Sequence, residues 1–176
     1  MDSLEQLATL IRQYNEIGDL IAKLIGRPAQ IGHAGEYIAS QIFDIRLEFA
    51  ATTRAIDGYF ASGPLNGRSV NVKWYAKQEN LLDACVGLLP DYYLVLAGPP
   101  SPAATSRGGK RPWLIRSVFL FAGAALHEEL VGHGVKVGIA TSVRKAVWEA
   151  AMIYPHSHHP AYLLSDEQRW KLALFA

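Results

Sequence analysis

Asp57, Asn71 and Lys73 are the residues of this chain whose types and spacing can do chemistry. Asp57 sits in the short apolar run Ala55–Phe60, and Asn71 and Lys73 sit two apart in RSVNVKWY, Arg68–Tyr75. Gly63-Pro-Leu-Asn-Gly67 between them reads as a turn, so the two runs read as neighbouring strands. Strand side chains alternate, which puts Asn71, Lys73 and Tyr75 on one face and Val70, Val72 and Trp74 on the other. A lysine and an amide inside an apolar strand are costly without partners, and Asp57 across the turn is the obvious one. An acid, a second polar group, one spacer and a lysine form the arrangement with which metal-dependent phosphodiester hydrolysis is done. The plainer alternative is a cross-strand Asp57–Lys73 ion pair, with Asn71 satisfying a backbone group.

The elements that must position these residues can be read from periodicity. Leu4, Leu7, Leu10, Ile11, Tyr14, Ile17, Ile21 and Leu24 recur at helical steps after Asp2-Ser3, a suitable N-cap, and Gly26 with Pro28 ends the helix. Gly18 inside it costs roughly 1 kcal/mol relative to alanine. This is a packing or dimerisation helix. A second helix is expected over Gly32–Phe43, with Ile38, Ile42 and Phe43 as its apolar side, followed by a half-buried strand over Asp44–Ala50. After the hairpin, Leu81, Leu82, Cys85, Val86 and Leu89 predict a helix over Gln78–Leu89, and Asp91–Ala97 predicts a buried strand. Gly98–Pro112, rich in proline and glycine, reads as a mobile surface loop. Beyond it the pattern predicts a strand over Trp113–Phe121, a helix over Ala122–Val131 and a strand over Val135–Ala140. A helix capped by Ser142 then runs to Tyr154, a loop covers Pro155–Pro160, and a capping-box helix closes Ser165–Phe175. There is no internal repeat and no domain boundary.

At 176 residues, half of them hydrophobic, the chain is one domain with enough length for a core. A formal charge of +1 gives no bulk attraction to nucleic acid, so any such binding must come from a local patch. Cys85 is the one cysteine, which excludes an intrachain disulfide and a cysteine-rich zinc site. No signal peptide opens the sequence and no apolar run approaches the roughly 18 residues of a membrane span, so the expected setting is cytoplasmic, with no membrane partner.

The element order helix, strand, strand, strand, helix, strand from Gly32 to Ala97 resembles the core of the PD-(D/E)XK restriction-endonuclease-like superfamily. Glu36 matches a carboxylate on the first core helix, Asp57 the aspartate of the second strand, and Asn71-Val72-Lys73 the (D/E)-X-K triplet of the third. The wider run from GHAGEYIA through VNVKWYAK to PDYYLVLAGP also looks like a family of uncharacterised bacterial domains. The superfamily resemblance covers about the middle third of the chain. It implies an α/β fold with a central mixed β-sheet flanked by helices, extended by the N-terminal helix and a C-terminal strand-helix portion. It also implies that Asp57 and Glu36 hold Mg2+ or Mn2+ while Lys73 positions the nucleophilic water. Asn71 is a departure: an amide oxygen can ligate a hard cation but brings no charge, and Glu36 or Glu79, just past the strand, would have to compensate. The implied protein is a metal-dependent nuclease acting on DNA, or a nuclease-like module that binds without cutting. A structural or dimerising protein, whose polar residues merely pair, is the third alternative, and cutting both strands would favour a homodimer.

Phosphate contacts are expected from Arg54 and Lys77, which flank the hairpin, from Arg107, Lys110 and Arg111 in the loop, and from Arg144 and Lys145 at a helix start. His127-Glu128-Glu129 with His133 fails the HExxH spacing, since position 131 is valine. His133 belongs at a helix end. His156, His158 and His159 form a surface-loop cluster able to take an adventitious transition metal. His33 is a cap or a substrate contact, and Trp74 and Trp148 are core residues.

Overall fold

The computed structural model of the chain describes residues 3–48, 55–100, 111–160 and 162–176. Two helices come first, α1 (Ser3–Ile25) and α2 (Ile31–Phe43), followed by strands β1 (Ile45–Leu47), β2 (Gly58–Phe60), β3 (Ser69–Tyr75), β4 (Leu81–Leu82), β5 (Tyr92–Ala97) and β6 (Ser117–Ala122). Helix α3 (Gly123–Gly132), strand β7 (Thr141–Ser142), helix α4 (Lys145–Ala151), strand β8 (Met152–Tyr154) and helix α5 (Asp166–Ala173) complete the chain. Six strands form one mixed sheet in the order β1-β2-β3-β5-β6-β8, and β4 pairs with β7 in a separate ribbon. Within the sheet β3 and β5 run parallel while every other neighbour pair is antiparallel. The α/β class with a mixed central sheet is as the sequence predicts. Among the described residues no helix is long and apolar enough to cross a membrane.

Alternation along the central strands builds a core on each face of the sheet. Val70, Val72, Trp74, Leu94 and Leu96 pack with Ile38, Ile42 and Phe43 of α2 and Leu172 of α5. Tyr93, Val95, Phe119 and Phe121 pack on the other face with Leu126 and Leu130 of α3 and Trp148 of α4. Helix α2 approaches β3 so closely that a Cβ on Gly35 would lie 2.9 Å from the Trp74 Cβ, which is why glycine stands there. Asp44, in the left-handed region at φ 53°, turns the end of α2 directly into β1. The capping box expected at Ser165 forms with Gln168, whose Nε2 also donates to the Ile42 carbonyl and ties α5 to α2.

Three expectations fail. No helix spans Gln78–Leu89: Asn80 and Gly87 have positive φ, and the segment folds as β4 and turns instead. Its backbone donors are met from the sheet, because the Tyr75 and Tyr93 hydroxyls accept from the Asp83 and Cys85 N–H groups at 2.8 and 2.9 Å. Leu82, fully buried among the side chains of the α3–α4 face, uses the apolar pattern that reads as a helical stripe. Val135–Ala140 is not a strand, since Ala140 is left-handed and Thr141 Oγ1 closes a turn onto the Gly138 carbonyl. The helix expected from Ser142 to Tyr154 is shorter at both ends: Ser142 pairs with Leu81 in β7 rather than capping, and Met152–Tyr154 leaves to pair with β6. Of the expected loop over Gly98–Pro112 and strand over Asp44–Ala50, positions 101–110 and 49–50 lie outside the described residues.

Candidate active site in the β2–β3 seam

The β2–β3 ladder is short. Gly58 pairs with Val70 and Tyr59 with Ser69, after which β3 runs on to Tyr75 without β2 beside it. Asp57 stands where the two strands part. Its backbone N–H donates to the Val70 carbonyl at 2.9 Å, and its carboxylate Oδ2 accepts from the Val72 N–H at 2.7 Å. The side chain thus takes over a ladder bond that a backbone carbonyl would otherwise make, and its second oxygen accepts no hydrogen bond among the described residues. Ladder donors point in the plane of the sheet, so this carboxylate lies in the seam between strands, where charges on either face reach it.

Two of those charges, Glu36 and Lys73, are ones the sequence singles out, and Arg27 joins them. Glu36 and Arg27 come from α2 and from the linker before it, while Lys73 belongs to the other face of β3, as its alternation with Val72 and Trp74 requires. Burial raises the Asp57 carboxyl above the ordinary 3.8, and the charge of Glu36 pushes in the same direction. The Val72 hydrogen bond, Lys73 and Arg27 oppose that rise without cancelling it. Glu36 itself forms a half-buried ion pair with Arg27. No direct Asp57–Lys73 ion pair occurs among the described residues, so the plain cross-strand pair is not what holds the hairpin.

Asn71 lies directly in the protein, 1% exposed. Its Nδ2 donates to the Ala55 carbonyl at 3.2 Å, two residues before Asp57. Its Oδ1 has no hydrogen-bond partner among the described residues. A buried orphan acceptor costs about 1–3 kcal/mol, which makes it an unusual choice for a purely structural strand.

The chemistry of these groups suits the Mg2+ or Mn2+ that the resemblance implies. Hard cations take oxygen ligands, including neutral amide oxygens, and magnesium needs few of them from the protein. The second oxygen of Asp57 and the orphan Oδ1 of Asn71 are oxygen ligands of that kind. Glu36, paired with Arg27, supplies charge nearby rather than a spare ligand. Among the described residues no cluster of three or more histidine, cysteine, aspartate or glutamate side chains is gathered as a metal site, neither among the histidines nor by Asp57, Glu36 and Glu79. His133 sits at the end of α3 against the Glu129 carbonyl, and His33 Nδ1 lies 2.9 Å from the Pro28 carbonyl within the first turns of α2.

Glu79 lines a groove of about 330 Å3 beside the end of β3, together with Lys77, Arg111 and Trp113. Trp113 is 38% exposed there and its ring lies 5.8 Å from that of the buried Trp74. Arg144 and Lys145 begin α4, where Arg144 pairs with Glu129 and Lys145 lies 3.5 Å from Glu149. They do not line the Lys77–Arg111 groove. Arg54, Arg107 and Lys110 lie outside the described residues.

Sequence reasoning missed Arg27 and Trp113. The signal for Arg27 was a charged residue held between Gly26 and Pro28 ahead of α2, although no spacing rule connects it to Glu36. Comparison of the chain with protein-family models finds no match, and comparison with curated proteins likewise finds none.

Proposed function

We propose that the domain is a metal-dependent phosphodiester hydrolase with a restriction-endonuclease-like core, acting on DNA at the β2–β3 seam. The observation that carries this reading is the half-buried Asp57 carboxylate, set between Glu36 and Lys73 and raised rather than lowered by its surroundings. Titratable groups perturbed by burial and by a like charge are characteristic of sites that do chemistry. The order α2-β1-β2-β3-β5 supports it as well, with β5 returning parallel to β3 after a crossover. In that crossover β4 and turns stand where the resemblance implies a helix.

Asp57 and Asn71 would hold the cation, oriented by the Val72 N–H and the Ala55 carbonyl. When bound, a divalent cation supplies Lewis acidity and lowers the pKa of a coordinated water. Lys73 orients the attacking water and stabilises charge developing on the phosphate oxygens. Arg27 pairs with Glu36 and offsets part of the effect of its charge on Asp57. Lys77 and Arg111 offer contacts to backbone phosphates, and the partly exposed Trp113 ring offers a surface on which an unpaired base can stack.

The test is cleavage of plasmid and single-stranded DNA with Mg2+ or Mn2+ by the wild-type chain and Lys73→Ala. A loss of about 100-fold or more in rate, with thermal unfolding unchanged, is the expected result. Equal cleavage by the variant removes Lys73 from the mechanism.

A catalytically silent DNA-binding module is the second reading, favoured by Asn71 in the acidic position and by the engagement of Glu36 with Arg27. It predicts DNA binding without cleavage, and a Lys73→Ala variant that loses at most affinity.

A further inference from the structure

Helix α1 is 23 residues long, and none of its residues is buried. It spans about 35 Å, and its last turn rests on the body through Ile25, while two turns earlier a Cβ on Gly18 would lie 4.0 Å from that of Ala29. Its large apolar side chains recur at three- and four-residue steps on one face, and eight of them, from Leu4 to Leu24, are 50% to 71% exposed. A uniform stripe of this size marks an interface rather than solvated surface.

We infer that α1 pairs antiparallel with α1 of a second copy of this chain, about a two-fold axis at Tyr14. Tyr14 is the midpoint of Ser3–Ile25, and three pairs of large apolar residues are placed symmetrically around it. Ile11 and Ile17 lie three residues to either side, Leu7 and the partly buried Ile21 seven, and Leu4 and Leu24 ten. An isologous antiparallel overlap therefore brings these residues level with one another, and sets Leu10 and Leu20 level with the small residues Gly18 and Ala8. The same overlap sets Glu5 level with Lys23 and Arg12 level with Glu16, whereas a parallel pair sets like charge beside like charge. Opposed helix dipoles favour it too.

The exposed area is what a stable dimer needs. Eight large exposed side chains give each copy an apolar face on the scale of the roughly 800 Å2 that each partner of a standard interface buries. A lipid surface fits less well, because the polar face carries Glu5, Glu16 and Asp19 against Arg12 and Lys23, not the lysine- and arginine-rich face of helices that lie on anionic membranes. The pairing does not depend on what the β2–β3 seam does, but it would give one particle two such seams.

Sedimentation velocity of the full chain at increasing concentration tests the pairing, with Tyr14→Lys as the disrupting variant. Tyr14 is 71% exposed, so the body should keep its near-UV circular dichroism. The expected result is a wild-type dimer whose dissociation constant rises about 100-fold or more when two lysines meet on the axis. In a Cys85→Ala background, Tyr14→Cys should form a disulfide-linked dimer on mild oxidation. A monomer at every concentration, a dimer that Tyr14→Lys leaves intact, or a Tyr14→Cys chain that does not cross-link would each overturn the inference.

Discussion

Strand β3 is gripped by an aspartate at two points, and the two behave in opposite ways. At its start the Asp91 carboxylate accepts from the Ser69 N–H and hydroxyl, both at 2.8 Å. These bonds, with Arg68 nearby, hold the Asp91 carboxyl below the usual 3.8. Three residues on, Asp57 accepts from the Val72 N–H in much the same way, yet burial and Glu36 lift it above that value. Both carboxylates replace a ladder partner. Asp91 does so at the surface, fully compensated, and so contributes to stability. Asp57 does so half-buried and beside a like charge, and its ionised form works against the fold. A residue that destabilises its own charged form and is nevertheless placed at the parting of two strands is better explained by chemistry than by packing.

The largest expected effect separates the two on activity. Asp57→Asn keeps an acceptor for the Val72 N–H but removes the charge. It should lower DNA cleavage by about 100-fold or more while unfolding at the same temperature as wild type or higher. Asp91→Asn should leave the cleavage rate unchanged. The next effect is on stability: Asp91→Ala strips the Ser69 N–H and hydroxyl of their partner and should cost about 1–2 kcal/mol, the lower part of the range for bonds to a charged group because the site is partly exposed. Chemical denaturation measures it, and a cost near zero would mean that the clamp is ornamental.

The smallest effect is in the pH dependence, where the signs differ. A carboxyl whose folded value is raised contributes stability below its unfolded value of 3.8 and loses it as pH rises through the folded value. Relative to wild type, Asp57→Asn should therefore gain in stability as pH climbs above 3.8. A lowered carboxyl contributes above 3.8 and loses its contribution as pH falls through the folded value. The deficit of Asp91→Asn should accordingly be full above 3.8 and shrink as pH falls below it. Parallel pH curves for the two variants would erase the distinction between the two grips on β3.

The sequence makes the scaffold of the site readable because that scaffold rests on local rules. Alternation alone divides β3 into an Asn71–Lys73–Tyr75 face and a Val70–Val72–Trp74 face, and the capping box at Ser165 needs only neighbours within one turn. The Gln78–Leu89 segment is misread because its apolar spacing suits a helix, while long-range hydrogen bonds from Tyr75 and Tyr93 and the burial of Leu82 against α3 and α4 decide its path. Met152–Tyr154 follows the same logic, drawn from a continuing helix by an open edge of β6. Arg27 was invisible for a related reason: its pairing with Glu36 depends on how the α1–α2 linker folds back, not on any spacing between them. The α1 stripe shows the complementary limit, since an amphipathic pattern announces a covered face without naming what covers it.

The central claim is that the seam holds a cation through Asp57, and a carbon-detected NMR titration of the Asp57 carboxyl with and without Mg2+ tests it most directly. Without the cation the carboxyl should titrate above 3.8, and millimolar Mg2+ should pull that value down while leaving Asp91 unmoved. An Asp57 carboxyl that titrates identically with and without Mg2+ and Mn2+ would contradict the claim and leave the seam as a binding surface alone.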